Sequence, residues 1–97
     1  MKSTTEYIAL LHDYMLKNAE KYGISRMGIF GSVARKEHTE TSDVDVYIEG
    51  DLHGFFALAG IKKKLEDLLG CSVDIVRLRE KMDSFLRDRI LKEGIYV

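Results

Sequence analysis

Three aspartates in apolar, strand-like segments are the residues of this chain best suited to chemistry. Asp43 and Asp45 flank Val44, and Asp74 lies within the apolar run of residues 73–76. Residues two positions apart in a strand project to the same face, with Cβ atoms about 6–7 Å apart. Carboxylates gathered in apolar surroundings are costly unless a cation compensates them. Oxygen ligands beside a nucleotide favour Mg²⁺ or Mn²⁺, so the three aspartates predict a metal site that acts on phosphates.

The dipeptide Gly31-Ser32 is the second candidate part of such a site. Glycine permits close backbone approach and a positive φ. Ser32 would place a hydroxyl at the start of a short helix, where backbone N–H groups attract phosphate. Arg35 would then reach the triphosphate or a partner. A plainer interpretation also stays open, in which Gly31 forms a turn, Ser32 is an N-cap and Arg35 is a solvated helix residue.

The aspartates also have structural interpretations that compete with the metal site. Asp43 could close a turn after Ser42, Asp45 could face solvent, and Asp74 could lie on an edge strand with one wet face. If the strand of Asp74 neighbours the strand of Asp45, however, three carboxylates converge and repel one another. Zinc is disfavoured because the ligands it prefers are scattered. The available Cys and His residues are Cys71, His12, His38 and His53.

Size and composition favour one folded domain spanning residues 1–97. The 97 residues are 45% hydrophobic and 32% charged, which is typical of a globular chain and not of a disordered one. The net charge of −1 gives no electrostatic argument for nucleic-acid binding. The single Cys71 fits a reducing compartment, and no apolar stretch resembles a signal peptide or a membrane span. We therefore expect a cytoplasmic protein that binds neither nucleic acid nor membrane.

Hydrophobic periodicity predicts four helices and three strands. The predicted helices span residues 4–22, 32–37 (as a helix or a turn), 51–69 and 80–93, and the predicted strands span residues 24–30, 44–48 and 72–77. Ser3 and Glu6 fit a capping box, and Asp51 is expected to cap the third helix, whose apolar face would include Phe55 and Leu58. Residues 95–97 are expected to form a short extended tail. The order predicts an α/β (α+β) domain with a small sheet covered by helices.

These motifs together resemble the minimal nucleotidyltransferase (MNT) family, a small branch of the DNA polymerase β-like nucleotidyltransferase superfamily. The resemblance lies in Gly31-Ser32, the Asp43-Val44-Asp45 motif and the later Asp74, and it extends from about Gly23 to the end of the chain. One departure is Lys36, where many relatives carry Gly after the Arg. Lys36 lies outside the ligand set, so the departure concerns loop shape more than chemistry.

The resemblance implies a nucleotidyltransferase fold with a small mixed sheet and flanking helices. It implies Mg²⁺ (or Mn²⁺) held by Asp43, Asp45 and Asp74, with Gly31 and Ser32 at the triphosphate. The implied reaction transfers a nucleoside monophosphate, here AMP from ATP, to an acceptor hydroxyl and releases pyrophosphate, with Asp74 helping to deprotonate the acceptor. Many family members are antitoxins encoded beside a HEPN-domain ribonuclease toxin, and some add AMP to a toxin tyrosine. A HEPN toxin is therefore the implied partner, in a possible complex with this chain.

Size adds an independent argument about the acceptor. Four helices and three strands use nearly the whole chain, so little remains to build an enclosed base pocket. We therefore expect a partner protein to complete the site or to be the substrate. Two alternatives stay open: a non-catalytic antitoxin that neutralises its toxin by binding, and an enzyme that acts on a small molecule. Three converging carboxylates favour catalysis over binding alone, and the lack of a second domain argues against a small-molecule acceptor.

Overall fold

The computed structural model describes residues 1–54 and 56–97 and shows helices on both faces of a four-stranded sheet. The helices are α1 (Thr4–Tyr22), α2 (Gly31–Ala34), α3 (Ala57–Leu69) and α4 (Ser84–Glu93). The strands are β1 (Ile24–Phe30), β2 (Val44–Gly50), β3 (Val73–Arg77) and β4 (Ile95–Tyr96). The strand order is β3-β2-β1-β4, with β2 and β3 parallel and β1 antiparallel to both β2 and β4. The predicted fold class, a small mixed sheet flanked by helices, is confirmed. In the described ranges, no helix is long and apolar enough to cross a membrane.

Local signals set the bounds of α1 and β1, and both elements span the predicted residues. The Ser3 hydroxyl accepts from the Glu6 N–H at 3.1 Å, and the Ser3 N–H donates to the Glu6 carboxylate at 3.0 Å. This reciprocal capping box satisfies two helix-start donors. Gly23 ends the helix at φ +74° and leads directly into β1.

Helix α3 begins later than the sequence predicts. It starts at Ala57, and Phe56 occupies the N-cap without a side-chain cap, so the prediction that Asp51 caps this helix is wrong. Gly54 has φ +93°, which is not helical, and the His53 N–H donates to the Tyr22 carbonyl at 2.9 Å. The chain before α3 is therefore tied to the end of α1 and cannot extend the helix. Phe55, predicted on its apolar face, lies outside the described residues.

Helix α4 is also shorter than predicted, since it starts at Ser84 and not at residue 80. Asp83 is its N-cap and accepts from the N–H groups of Phe85 and Leu86 at 2.8 and 3.2 Å. The cap fixes the start because an Asp side chain there satisfies donors that have no partner within the helix.

The tail after α4 is extended, as predicted, but it also joins the sheet. β4 pairs antiparallel with β1, with Gly28 opposite Tyr96 and Ile29 opposite Ile95. The Val97 N–H adds a bond of 2.9 Å to the Met27 carbonyl. The sheet therefore has four strands where the sequence predicted three.

Two apolar clusters lie on opposite faces of the sheet. The cluster under α1 and α3 is the main core and includes Leu11, Val46 and Leu65, each fully buried. The smaller cluster under α4 consists of Phe30, Tyr47, Leu78 and Ile90. Because side chains alternate along a strand, β2 contributes to both clusters, and its second face is the one that carries the acidic residues.

The short helix α2 closes in a Schellman motif. The Lys36 N–H donates to the Val33 carbonyl at 3.1 Å and the Glu37 N–H donates to the Ser32 carbonyl at 2.9 Å. Lys36 has φ +61° and is the only non-glycine residue in the described ranges with a positive φ. Glycine usually occupies this position, so Lys36 keeps the loop shape at a conformational cost.

Candidate functional site

The sheet register brings the predicted carboxylates together. Asp45 on β2 lies opposite Asp74 on the parallel neighbour β3, and adjacent strands are about 4.8 Å apart. Asp43 precedes β2 by one residue, two positions before Asp45. The face that carries Asp45 and Asp74 also carries Tyr47 of the α4-side cluster, as the predicted alternation requires. The condition set by the sequence, that the strand of Asp74 neighbours the strand of Asp45, is met.

The three aspartates are more exposed to solvent than their apolar sequence neighbours predict. Asp43 and Asp74 are exposed, and Asp45 is half-buried. β3 is an edge strand of the sheet, so the edge-strand interpretation of Asp74 is correct for its position. Only Asp45 carries a desolvation cost, and the others form an open acidic rim around it.

The charges of this rim act on Asp45. Partial burial raises the pKa of the Asp45 carboxyl above its usual range, and the negative charges of Asp74 and Asp43 raise it further. The positive charges of Arg89 and Arg35 oppose this effect and lower the same pKa. Asp45 is thus the centre of the site, where a nearby cation would stabilise the ionised form.

Gly31 contacts this centre through its backbone. It follows Phe30, which pairs with Asp45 across the β1–β2 ladder. Gly31 has φ +71°, and a Cβ built at this position would collide with Oδ2 of Asp45. Glycine is therefore needed here for both conformation and space, and the predicted close approach is found against Asp45.

Ser32 is the second residue of α2 and is half-buried. Phe30 occupies the N-cap and no side chain caps the helix, so the alternative that Ser32 is an N-cap is wrong. The Thr4 hydroxyl donates to the Val33 carbonyl at 2.6 Å, which anchors α2 to the start of α1. The turn before the carboxylates is thereby held in place by α1.

Arg35 follows α2 and its guanidinium is already engaged. Nε donates to Glu37 at 2.8 Å, and Nη1 donates to Glu93 of α4 at 3.1 Å. These two hydrogen bonds raise the pKa of the Arg35 side chain, with the Glu37 bond as the main cause. The prediction that Arg35 reaches the triphosphate therefore competes with two bonds that the side chain already makes.

Arg89 was not predicted as a site residue. It lies on α4 with Nη2 at 3.9 Å from the Glu93 carboxylate, and its positive charge lowers the pKa of Asp45. The sequence signal available was the i,i+4 spacing of Arg89 and Glu93 on one helix. That spacing fixes neighbours on a helix, but it does not show that this side of α4 faces the carboxylates.

Across residues 1–54 and 56–97, no group of three His, Cys, Asp or Glu side chains is arranged to hold a metal ion by itself. The predicted ligand set of Asp43, Asp45 and Asp74 is therefore not a closed protein cage. Mg²⁺ is commonly bound by one or two carboxylates together with substrate phosphates and water. An all-carboxylate donor set with mutual repulsion at Asp45 fits this mode of binding.

Comparisons with known proteins identify the family of this chain. The nucleotidyltransferase domain family model matches residues 14–97. A Methanocaldococcus jannaschii protein named "putative protein adenylyltransferase" is 41% identical over 79% of this chain and 83% of its own length. The protein adenylyltransferase MntA of Thermococcus cleftensis is 30% identical over 100% of this chain and 98% of its own.

Solved structures show the same fold. The structure of a "putative minimal nucleotidyltransferase" superposes with a TM-score of 0.77 at 33% identity, covering 97% of this chain and 95% of that one. A toxin–antitoxin crystal structure with AMP-PNP gives a TM-score of 0.70 at 23% identity over 98% of this chain and 72% of that one, which supports the fold alone. This chain therefore belongs to the nucleotidyltransferase domain family and is an enzyme. Within that family it is one of the minimal nucleotidyltransferases.

Proposed function

We propose that this nucleotidyltransferase transfers AMP from ATP to a hydroxyl of a partner protein, and that the partner is a HEPN-domain toxin. The observation that carries the proposal is the register of Asp45 and Asp74 beside the Gly31 turn, on an open surface. Relatives of this chain bear the name protein adenylyltransferase. One structure of similar fold is described as a tri-AMPylated Shewanella oneidensis HEPN toxin in complex with an MNT antitoxin.

Each site residue then has a chemical role. Asp43, Asp45 and Asp74 would hold Mg²⁺ or Mn²⁺, which supplies neutralisation of the phosphate charge when bound. Gly31 and Ser32 would lie at the triphosphate, where the turn would let the backbone come close. The acceptor oxygen attacks the α-phosphorus, the bond to the β-phosphate breaks, and pyrophosphate leaves. Asp74, exposed on the edge strand, accepts the proton of the acceptor hydroxyl.

The openness of the site favours a protein acceptor. Asp43 and Asp74 are exposed and Asp45 is half-buried, so the carboxylates lie at an open surface. Small-molecule sites usually enclose most of their ligand. A site that encloses little is better matched by an acceptor residue on a second protein, which brings its own surface to exclude water.

The first experiment is label transfer from α-³²P-ATP with Mg²⁺ to the protein encoded by the neighbouring gene. Wild type is compared with Asp43→Ala/Asp45→Ala and with Asp13→Ala, an exposed aspartate of α1 paired with Lys17 at 3.1 Å. Label on the partner with wild type and Asp13→Ala, but not with the double variant, is the expected result. Label that persists in the double variant would overturn the assignment of the site.

The same experiment separates the two remaining functions. A tight complex without label would favour an antitoxin that acts by binding alone, since the fold can persist without turnover. Neither label nor complex would favour a small-molecule acceptor. The carboxylates of Asp43, Asp45 and Asp74 favour the catalytic function, because their mutual repulsion would serve no purpose in a protein that only binds.

A further inference from the structure

We infer that Arg89, and not Arg35, is the side chain that binds the triphosphate of the nucleotide. The inference rests on the proposed function and identifies a specific residue for it. Both arginines lie where α4 meets the end of α2, since the Glu93 carboxylate is 3.1 Å from the Arg35 guanidinium and 3.9 Å from that of Arg89. What distinguishes them is how far their hydrogen-bonding groups are already occupied.

The guanidinium of Arg35 is held by two carboxylates. It donates to Glu37 at 2.8 Å and to Glu93 at 3.1 Å. If Arg35 turned toward phosphate, it would break both bonds and leave Glu37 and Glu93 uncompensated beside a polyanion. Because like charges in one site repel, the exchange would remove much of the gain from the new contact.

The guanidinium of Arg89 is free by comparison. Within the described ranges it donates no hydrogen bond, and its one ion-pair contact, to Glu93, is long at 3.9 Å. Its side chain is 56% exposed, so it can turn toward a ligand with little loss of contacts. A guanidinium with unoccupied donors can bind phosphate oxygens in bidentate geometry.

The position of Arg89 on α4 is fixed by its neighbours. Ile90 is buried in the cluster under α4, and Glu93 reaches Arg35 at the end of α2. Arg89 is one residue before Ile90 and four before Glu93, so it lies on the flank of α4 that carries Glu93 and faces the end of α2. The charge of Arg89 is therefore placed at the side of the site where Gly31 and Ser32 would meet the phosphates.

The inference is tested by calorimetric titration with Mg²⁺ and α,β-methylene-ATP, whose bridging carbon prevents transfer. Four proteins are compared: wild type, Arg89→Gln, Arg35→Gln and Lys63→Gln, the last removing an exposed charge from α3 on the other side of the sheet. We expect Arg89→Gln to raise Kd about tenfold or more, as loss of a charge-assisted contact requires. Arg35→Gln should raise Kd by a smaller factor than Arg89→Gln, and Lys63→Gln should leave it unchanged.

Competition with inorganic tripolyphosphate shows which part of the nucleotide is contacted. Arg89→Gln should weaken the binding of tripolyphosphate by the same factor as the binding of the nucleotide analogue. Arg89→Lys should restore part of the affinity, since it keeps the charge but not the bidentate geometry. An equal or larger loss in Arg35→Gln, or unchanged tripolyphosphate affinity in Arg89→Gln, overturns the inference alone. Wild type that binds no nucleotide analogue overturns the proposed function as well.

Discussion

The two faces of the sheet are built for different purposes. Under α1 and α3, fourteen described side chains are buried in one continuous cluster. Under α4 the buried cluster has only four members, Phe30, Tyr47, Leu78 and Ile90. The same face of the sheet also carries Asp45 and Asp74, and α4 adds charged residues on this side. Burial of apolar area dominates folding stability, so the first face should stabilise the fold and the second should perform the chemistry.

This division has a physical reason in strand β2. Val44, Val46 and Ile48 point into the main core and are fully buried, whereas Asp45 on the opposite face is only half-buried. A strand fixed on one side by close packing also fixes the backbone positions from which the side chains of its other face project. The site can therefore stay open to solvent while its backbone is held in place.

The largest expected effect comes from a substitution in the main core under α1 and α3. Leu11→Ala removes a fully buried side chain of α1 and should lower the free energy of unfolding by about 2–5 kcal/mol. Phe85→Ala, which truncates a side chain of α4 that is 84% exposed, is the control and should change stability by less than about 0.5 kcal/mol. Urea denaturation measures both. If the folded Leu11→Ala protein also lost nucleotide affinity, the separation of the two faces would not hold.

An intermediate effect is expected where the two faces meet, at Gly31. Gly31→Ala puts a Cβ into Asp45 at φ +71° and should cost about 1–2 kcal/mol from conformation alone, with a loss of label transfer. Gly60→Ala is a matched control, because a Cβ on this helical glycine of α3 would meet nothing within 4 Å. It should stabilise the protein by roughly 0.5–1 kcal/mol. Equal behaviour of the two variants in denaturation would show that Gly31 is not constrained.

The smallest effect expected is a change in pH dependence at Asp45. Its folded pKa is raised above the unfolded value, so its contribution to stability is full below about pH 4 and is lost as pH rises through the raised pKa. In EDTA at pH 7, Asp45→Asn should therefore be as stable as wild type or slightly more stable, and this advantage should disappear toward pH 3. Thermal melts across this pH range measure it.

Adding Mg²⁺ to the same melts tests the role of Asp45 as a ligand. A ligand that binds only the folded state raises Tm, so wild type should shift upward and Asp45→Asn should not. Asp13→Asn, on the opposite layer, should keep the shift. Unfolding of Asp45→Asn at all pH values would instead make Asp45 a structural residue.

Elements with complete local signals could be predicted from the sequence. The capping box at Ser3 and the stop at Gly23 lie within a few residues of the helix they bound, so α1 needs no long-range information. The alternation along β2 likewise predicts that Asp45 and Tyr47 share a face. The sequence predicts that Asp45 and Asp74 converge only if their strands are neighbours, because it does not show which strands pair in the sheet.

Elements that depend on distant partners could not be predicted. The start of α3 is displaced because His53 bonds to Tyr22, 31 residues earlier, and a two-residue strand such as β4 is too short to show a period. The exposure of Asp74 could not be predicted, because an edge strand such as β3 and a central strand can have the same apolar sequence.

The sequence by itself determined the types of the ligating side chains, their spacing along each strand and the need for glycine at position 31. Covalent geometry and strand period carry that information over a few residues. The tertiary structure decided which flank of α4 faces α2, and so tied Arg35 to Glu93, the residue that Arg89 also approaches. Helix orientation depends on packing of Ile90 against the sheet, and packing joins residues that are far apart in the chain.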